Sequence, residues 1–301
     1  MVQMFAIIGG SGYLGGNLSR SIMESDDVCI IDRTEPDFVL TENSSFVRAD
    51  VVDQDISDIL SCCDAVVHLA AEPDVRRSET AHRDTYLSTE AVVRYMDSTS
   101  VRRIVFASSS AVYGRDGWMA DESRPRVPVS EYGRAKRDSE NLLTDTEGMD
   151  AVILRFCNIC GREVTHGVVS DFVRRLESDS RRLDILGNGL QMREYLHVDD
   201  AVAAVKFVLR SGITGIYNVG NGDPISVLDV ADIVKESMGL SDIPVSVGDS
   251  DVGWNGDVSC CLLDSTRFRD MGWNPYHGSS DAVKDSVHTL LNILRGCNNG
   301  Q

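Results

Sequence analysis

The sequence predicts an α/β fold: a doubly wound parallel sheet with helices on both faces, followed by a smaller α+β lobe toward the C-terminal end. Three observations predict it. Short apolar runs without polar alternation recur through the first half, as strands covered on both faces require. Helical stretches separate those runs, the rhythm of βαβ units. From about Gly161 the rhythm breaks into short elements divided by turn signals, Gly187-Asn188-Gly189 and Gly220-Asn221-Gly222 among them.

In order, the apolar runs place strands at Met4–Ile8, Val28–Asp32, Ala65–Leu69, Arg103–Ala107 and Ala151–Arg155. Helical spacing places helices at Tyr13–Glu24, Asp55–Leu60, Glu79–Thr99 and Tyr132–Thr146. The first lobe is expected over residues 1–160 and the second over 161–301. No Pro- or Ser-rich linker marks the boundary, and some later segments are expected to return to the first lobe.

The chain has 301 residues and a formal net charge of −18. Such a surplus repels phosphate backbones, so nucleic acid is not an expected partner. No apolar stretch approaches the roughly 20 residues that span a bilayer, and Met4–Ile8 runs straight into a glycine turn rather than a cleavage site. A soluble, cytoplasmic protein without a membrane partner is the expectation. Asp dominates the acids and Arg the bases, which suits either a salt-adapted host or a GC-rich genome. Among the eight cysteines, Cys157-x-x-Cys160 has metal or redox spacing, but no second such pair completes a zinc site. Buried, reduced thiols and no metal are expected.

Gly9-Gly10-Ser11-Gly12-Tyr13-Leu14-Gly15 leaves the first strand and opens the first helix. Glycines there permit a tight turn and let backbone approach a pyrophosphate, which sits on the helix N-terminal dipole. Asp32 ends the next strand, about 20 residues beyond the glycines, where a carboxylate meets the adenosine ribose of a dinucleotide. It repels a 2′-phosphate and so favours NAD over NADP; Arg33 beside it argues the other way. A dinucleotide-binding, Rossmann-like first lobe follows.

Tyr132-Gly133-Arg134-Ala135-Lys136 opens the fourth helix. Residues i and i+4 share a helix face, so the ammonium lies one turn from the phenol and favours its ionised form. The chain has only four lysines, Lys136, Lys206, Lys235 and Lys284, so this position keeps lysine where arginine is the usual cation. Strand Arg103–Ala107 runs into Ser108-Ser109-Ser110, at the sheet end where open α/β folds place ligands. A serine there can share the reacting proton with Tyr132.

With Asp50-Val51, His68-Leu69-Ala70-Ala71, Ser108 through Gly114, Tyr132-x-x-x-Lys136, Arg155 through Gly161 and Gly187 through Asp200, the chain resembles the extended short-chain dehydrogenases/reductases. Within them it looks most like UDP-glucose 4-epimerases, particularly short archaeal ones. The resemblance implies a nucleotide-sugar epimerase with NAD as cofactor, a UDP-sugar as substrate and a homodimer as assembly. It implies Ser109, Tyr132 and Lys136 as catalytic residues. It implies cofactor contacts at Gly9, Gly12, Tyr13, Leu14, Gly15, Asp32, Arg33, Asp50 and Val51, then at Leu69, Ala70, Ala71, Ser108, Tyr132, Lys136 and Phe156. Substrate contacts would be Ser109, Ser110, Asn158, Val168, Arg193 and Asp257.

Three departures stand out. No arginine occurs in Asp251-Val252-Gly253-Trp254-Asn255, where many epimerases carry a second phosphate-binding one; Asp84-Thr85 replaces the family's asparagine pair; and Cys160 stands where tyrosine is common. Rival readings are a 4,6-dehydratase, a net reductase and a non-catalytic NAD-binding regulator. The dehydratase branch carries Thr-Asp-Glu where this chain has Ser109-Ser110-Ala111, and a regulator typically loses the Tyr or Lys that this chain keeps.

Overall fold

The structure, a computed structural model, describes residues 2–72, 82–164, 166–253 and 257–298. Two compact units emerge. Met1–Val112, Ser130–Phe156 and Val202–Tyr217 form the first, and Tyr113–Val129, Cys157–Ala201 and Asn218–Gln301 the second.

The first unit begins β1 (Met4–Ile8), α1 (Tyr13–Ile22), β2 (Asp27–Asp32), β3 (Ser44–Arg48), α2 (Ser57–Leu60) and β4 (Ala65–His68). A π-helical turn, His82–Leu87, leads into α3 (Ser88–Asp97) and β5 (Arg103–Ser109). The chain then passes through β6 (Gly117–Ala120), which belongs to the second unit and pairs with its β14 (Cys260–Leu263), and returns with α4 (Glu131–Asp145) and β7 (Asp150–Phe156). Seven strands make one sheet in the order β11-β7-β5-β4-β1-β2-β3, with β11 at Gly215–Val219. Pairing from β3 through β7 is parallel throughout.

The unbroken apolar strands lie in the middle, as burial on both faces demands. Every residue of β4 is buried, as are four of the five in β1. Helices α3 and α4 contribute Val92, Met96 and Leu143 to the same core. Between β1 and β4 the chain changes direction: it winds outward through β2 to β3, then crosses back to β4. That reversal opens a crevice at the carboxyl ends of β1 and β4, where ligands bind in open α/β sheets.

Expected elements recur with small shifts at their ends. Strand β3 was not foreseen, because Ser-Ser-Phe-Val-Arg is short, half polar and lies at the sheet edge. β5 extends to Ser109, so Ser108 and Ser109 belong to a strand rather than a turn. Of the expected helix Glu79–Thr99, the start at 79–81 lies outside the described residues, and the remainder divides into the π-helical turn and α3.

The second unit contains β8 (Asn158–Cys160), α5 (Val168–Ser178), β9 (Leu183–Ile185) and β10 (Met192–His197). Then come α6 (Val198–Ser211), β12 (Pro224–Ser226), α7 (Val227–Ser237), β13 (Val245–Val247), β14 (Cys260–Leu263), α8 (Thr266–Asp270) and α9 (Ser279–Asn298). Most of α6 belongs to the first unit: Lys206 Nζ donates to Ser21 Oγ at 2.7 Å, and Arg210 to Asp26 Oδ2 at 2.6 Å. Strand β10 anchors the second unit's sheet, paired with β12, β14 and β8. Among the described residues no helix is long and apolar enough to cross a membrane.

Candidate active site

The crevice of the first unit is a cavity of about 350 Å³. It is lined by Gly9 and Gly12, by Asp32, Arg33, Asp50 and Val51, and by Leu69, Ala70 and Ala71. Gly9 has a φ of +80°, and a Cβ there would lie 2.6 Å from the Ala70 amide nitrogen. Gly15 is equally closed, since a Cβ would collide with the Gly9 carbonyl. Only glycine fits either position. Gly12 caps α1 without a side-chain cap hydrogen bond, so the helix start faces the glycine turn, where the dipole of a helix N-terminus favours an anion. Ser11 Oγ is buried without a hydrogen-bond partner. An open helix start, a cradle that a Cβ would fill and an orphaned hydroxyl suit a dinucleotide pyrophosphate.

Asp32 is fixed by backbone: its Oδ2 accepts from Ser11 N and its Oδ1 from Thr34 N, both at 3.0 Å. Asp50 accepts from Arg83 at 2.9 Å and from Val52 N at 3.1 Å. Burial works against the Asp50 carboxylate, but these bonds and the charges of Arg83 and Arg33 outweigh it and hold its pKa below the ordinary value.

Ser130 caps α4, its Oγ accepting from Gly133 N at 3.1 Å, and this sets Tyr132 in the first turn. Tyr132 is hydrogen-bonded to the Ser109 side chain at the end of β5. Burial pushes the phenol's pKa up, and the Ser109 bond pulls it back in part. One turn on, Lys136 is buried, 2% exposed, its Nζ donating to Ala107 O at 2.5 Å. The ammonium lies 4.6 Å from the Phe106 ring centroid and 5.8 Å from that of Tyr132. Burial lowers its pKa to about 7, against the opposing charge of Glu140. Glu140, a further turn along, is itself buried and receives both Nε (2.9 Å) and Nη2 (2.7 Å) of Arg155. Ser108 Oγ donates to the same carboxylate at 2.5 Å. His68 lies in this interior too, bonded to Thr89 Oγ1 at 3.1 Å; burial and the Lys136 charge push its pKa down to about 3, so it stays neutral. Ser109, Tyr132 and Lys136 thus form one cluster. Ser110 follows in a 3₁₀ turn and Phe156 ends β7, both buried.

In the second unit, Arg193 and Asp257 meet each other. Arg193 Nη2 donates to Asp257 Oδ1 at 2.8 Å and also to Val258 O, while Nη1 donates to Met192 O at 2.7 Å. Asp257 Oδ2 accepts from Gly253 N at 2.9 Å. Asn158 is an exposed residue of β8, and Val168 opens α5. Trp254, Asn255 and Gly256 lie outside the described residues.

Comparison with known proteins resolves the family. Residues 5–220 match the model of the NAD dependent epimerase/dehydratase family. The chain belongs to this family. A putative UDP-glucose 4-epimerase of Methanocaldococcus jannaschii is 29% identical, with 97% of this chain and 100% of the relative aligned. A dTDP-glucose 4,6-dehydratase of Streptomyces niveus is 28% identical over 93% of this chain and 90% of its own. A crystal structure of a UDP-galactose 4-epimerase superposes with a TM-score of 0.85 at 29% identity, covering 97% of this chain and 99% of that one. The likeness to extended short-chain dehydrogenases/reductases, and to UDP-glucose 4-epimerases within them, therefore holds, and the cofactor is NAD.

Within the epimerase/dehydratase frame, several residues escaped the reading of the sequence. Ser11, Thr34, Ala49, Asp84 and Ser88 also line the cavity. Ser11 had a signal, since it sits between the glycines; Asp84 had one as a departure from the family's asparagine. Arg155 opened one of the stretches that carry the resemblance, but its pairing with Glu140 had no signal, because a buried ion pair between a helix and a strand leaves no spacing to read. Cys157 and Cys160 are buried free thiols; burial raises both pKa values, that of Cys160 to about 12. Among the described residues, no group of three or more His, Cys, Asp or Glu is placed to hold a metal.

Proposed function

We propose that the protein is a nucleotide-sugar 4-epimerase that interconverts UDP-glucose and UDP-galactose through a transient 4-keto sugar. The observation that carries this reading is the cluster of Ser109, Tyr132 and Lys136 beside a dinucleotide cradle. Gly9, Gly12 and Gly15 would hold the pyrophosphate of NAD, Asp32 the ribose, and Asp50 and Val51 the adenine. Leu69, Ala70, Ala71, Ser108 and Phe156 would follow the cofactor inward. When bound, NAD supplies the two-electron chemistry at the sugar C4 and is regenerated within one turnover.

The chain's own groups manage the proton. Tyr132 Oη takes the proton of the 4-hydroxyl and later returns it, with Ser109 Oγ sharing the hydrogen bond. Lys136 favours the phenolate by its charge. Neutral phenol with neutral amine carries the same number of protons as phenolate with ammonium, so Lys136 can pass its proton state to Tyr132 without exchange with solvent. Arg193, Asp257, Asn158, Val168 and Ser110 would meet the UDP-sugar. A homodimer through α3 and α4 is part of the same reading.

A 4,6-dehydratase needs an acid pair to eliminate the 6-hydroxyl, and Ser110-Ala111 after Ser109 offers none. Incubation with UDP-galactose, UDP-glucose and their N-acetyl forms, with products read by NMR, tests the assignment. Interconversion at C4 without net consumption of NAD is expected; a 4-keto-6-deoxy product would make the enzyme a dehydratase instead.

A further inference from the structure

Arg33 directly follows Asp32, and an arginine nearby is the usual device for accepting the 2′-phosphate of NADP. Here both terminal nitrogens of Arg33 fork onto the two oxygens of Asp84, at 3.1 and 3.3 Å. The Asp84 side chain is 11% exposed and that of Arg33 56%, so the carboxylate is the fixed partner and the guanidinium is drawn to it. Asp32, Arg33 and Asp84 line the same cavity. The neighbouring cation is committed in the same way, with Arg83 donating to Asp50 at 2.9 Å and to Asp53 at 2.7 Å. Of these residues Asp32, Asp50, Asp84 and Arg33 line the cavity, and both guanidiniums are already paired with carboxylates: Arg33 also lies 3.9 Å from Asp50, and Arg83 3.5 Å from Asp84.

We propose that Asp84 is a specificity residue of the cofactor site: by holding Arg33 it withholds from a 2′-phosphate the cation that Asp32's neighbour would otherwise offer. Two residues then exclude NADP by different means. Asp32 repels the phosphate directly, and Asp84 removes its partner. A bidentate arginine–carboxylate fork is the geometry that a phosphate would have to displace, and an exchange of anions across one arginine yields little net gain. The proposal rests on the reading that Asp32 meets the adenosine ribose.

Calorimetric titration of the cofactor-free chain with NAD and with NADP tests it, in wild type, Asp84→Asn, Arg33→Ala, Asp84→Asn/Arg33→Ala and Asp32→Ala. Asp84→Asn is expected to tighten NADP about tenfold, the contribution of one charge-assisted hydrogen bond, with NAD nearly unchanged. Adding Arg33→Ala should erase that gain. Arg33→Ala alone should leave NADP as weak as in wild type, because both terminal nitrogens of Arg33 are already bound to the two Asp84 oxygens and leave no fork for the phosphate; this arm stands even where Asp84→Asn fails to fold. An unchanged NADP affinity in Asp84→Asn overturns the proposal. So does a gain that survives Arg33→Ala, or a tenfold loss of NADP affinity from Arg33→Ala alone. Asp32→Ala separates the two levels. If it weakens NAD while Asp84→Asn does nothing, only the role of Asp84 is lost. If Asp32→Ala leaves NAD binding intact, the ribose site is misassigned and the proposal goes with it.

Discussion

Lys136 and Arg193 are the two cations that carry the functional reading, and the molecule treats them in opposite ways. Lys136 is buried against aromatic rings and a backbone carbonyl, and its pKa falls to about 7. Arg193 is neutralised by Asp257 and tied to two carbonyls. Under the proposed function, a cation that acts on a neighbour's proton is kept near the point of losing its own, and a cation that presents N–H groups in a fixed direction is held by a carboxylate instead. The difference lies in the company each keeps rather than in its charge.

The comparison breaks most visibly at Tyr132, the group on which Lys136 would act in the proposed mechanism. Tyr132→Phe is expected to abolish turnover, a loss beyond about 10³-fold, because the proton acceptor is gone while the ring still packs. Cofactor affinity, read by calorimetry, should stay near wild type. More than a few per cent of residual activity would point to a different base. Ser109→Ala should cost about 10²–10³-fold in kcat, as one oriented hydrogen bond is lost. Arg193→Ala sharpens the other half of the comparison. It should raise the KM for the UDP-sugar by about 10- to 150-fold, the range of a charged hydrogen bond, with NAD affinity intact. A fall in melting temperature and NAD affinity with an unchanged KM would make Arg193 a purely structural residue of the Asp257 pair.

Much of the fold was legible because its signals are local. Glycines at Gly9, Gly12 and Gly15, an acid at Asp32 and continuous apolar runs each reflect one backbone requirement, and the five strands read from those runs are the inner five of the seven-stranded sheet, with β3 and β11 added at its edges. The pairing of Tyr132 with Lys136 was legible for the same reason, since i and i+4 share a helix face. Contacts between distant segments were not. Asp84 reaches Arg33 across 51 residues and Asp257 reaches Arg193 across 64, so neither pair has a period to reveal it. Strand β3 was missed because an edge strand tolerates polar residues on its open side. The lowered pKa of Lys136 was invisible too, because it arises from burial beneath Phe106 rather than from any neighbour in sequence.

The pH dependence of kcat/KM, compared between wild type and Lys136→Met, tests the coupling of Lys136 to Tyr132 most directly. Above about pH 7 the pair carries one proton fewer than at acid pH, and phenolate with ammonium is one of the two arrangements of that state. Activity in wild type should therefore be level above this point and fall by about tenfold per pH unit below it, as the pair takes up a second proton. In Lys136→Met the phenol stands alone with its raised pKa, so the limb should move upward by several units and activity should still be rising near pH 10. An acid limb at the same pH in both enzymes would contradict the account, because Lys136 would then have no part in setting the proton state of Tyr132.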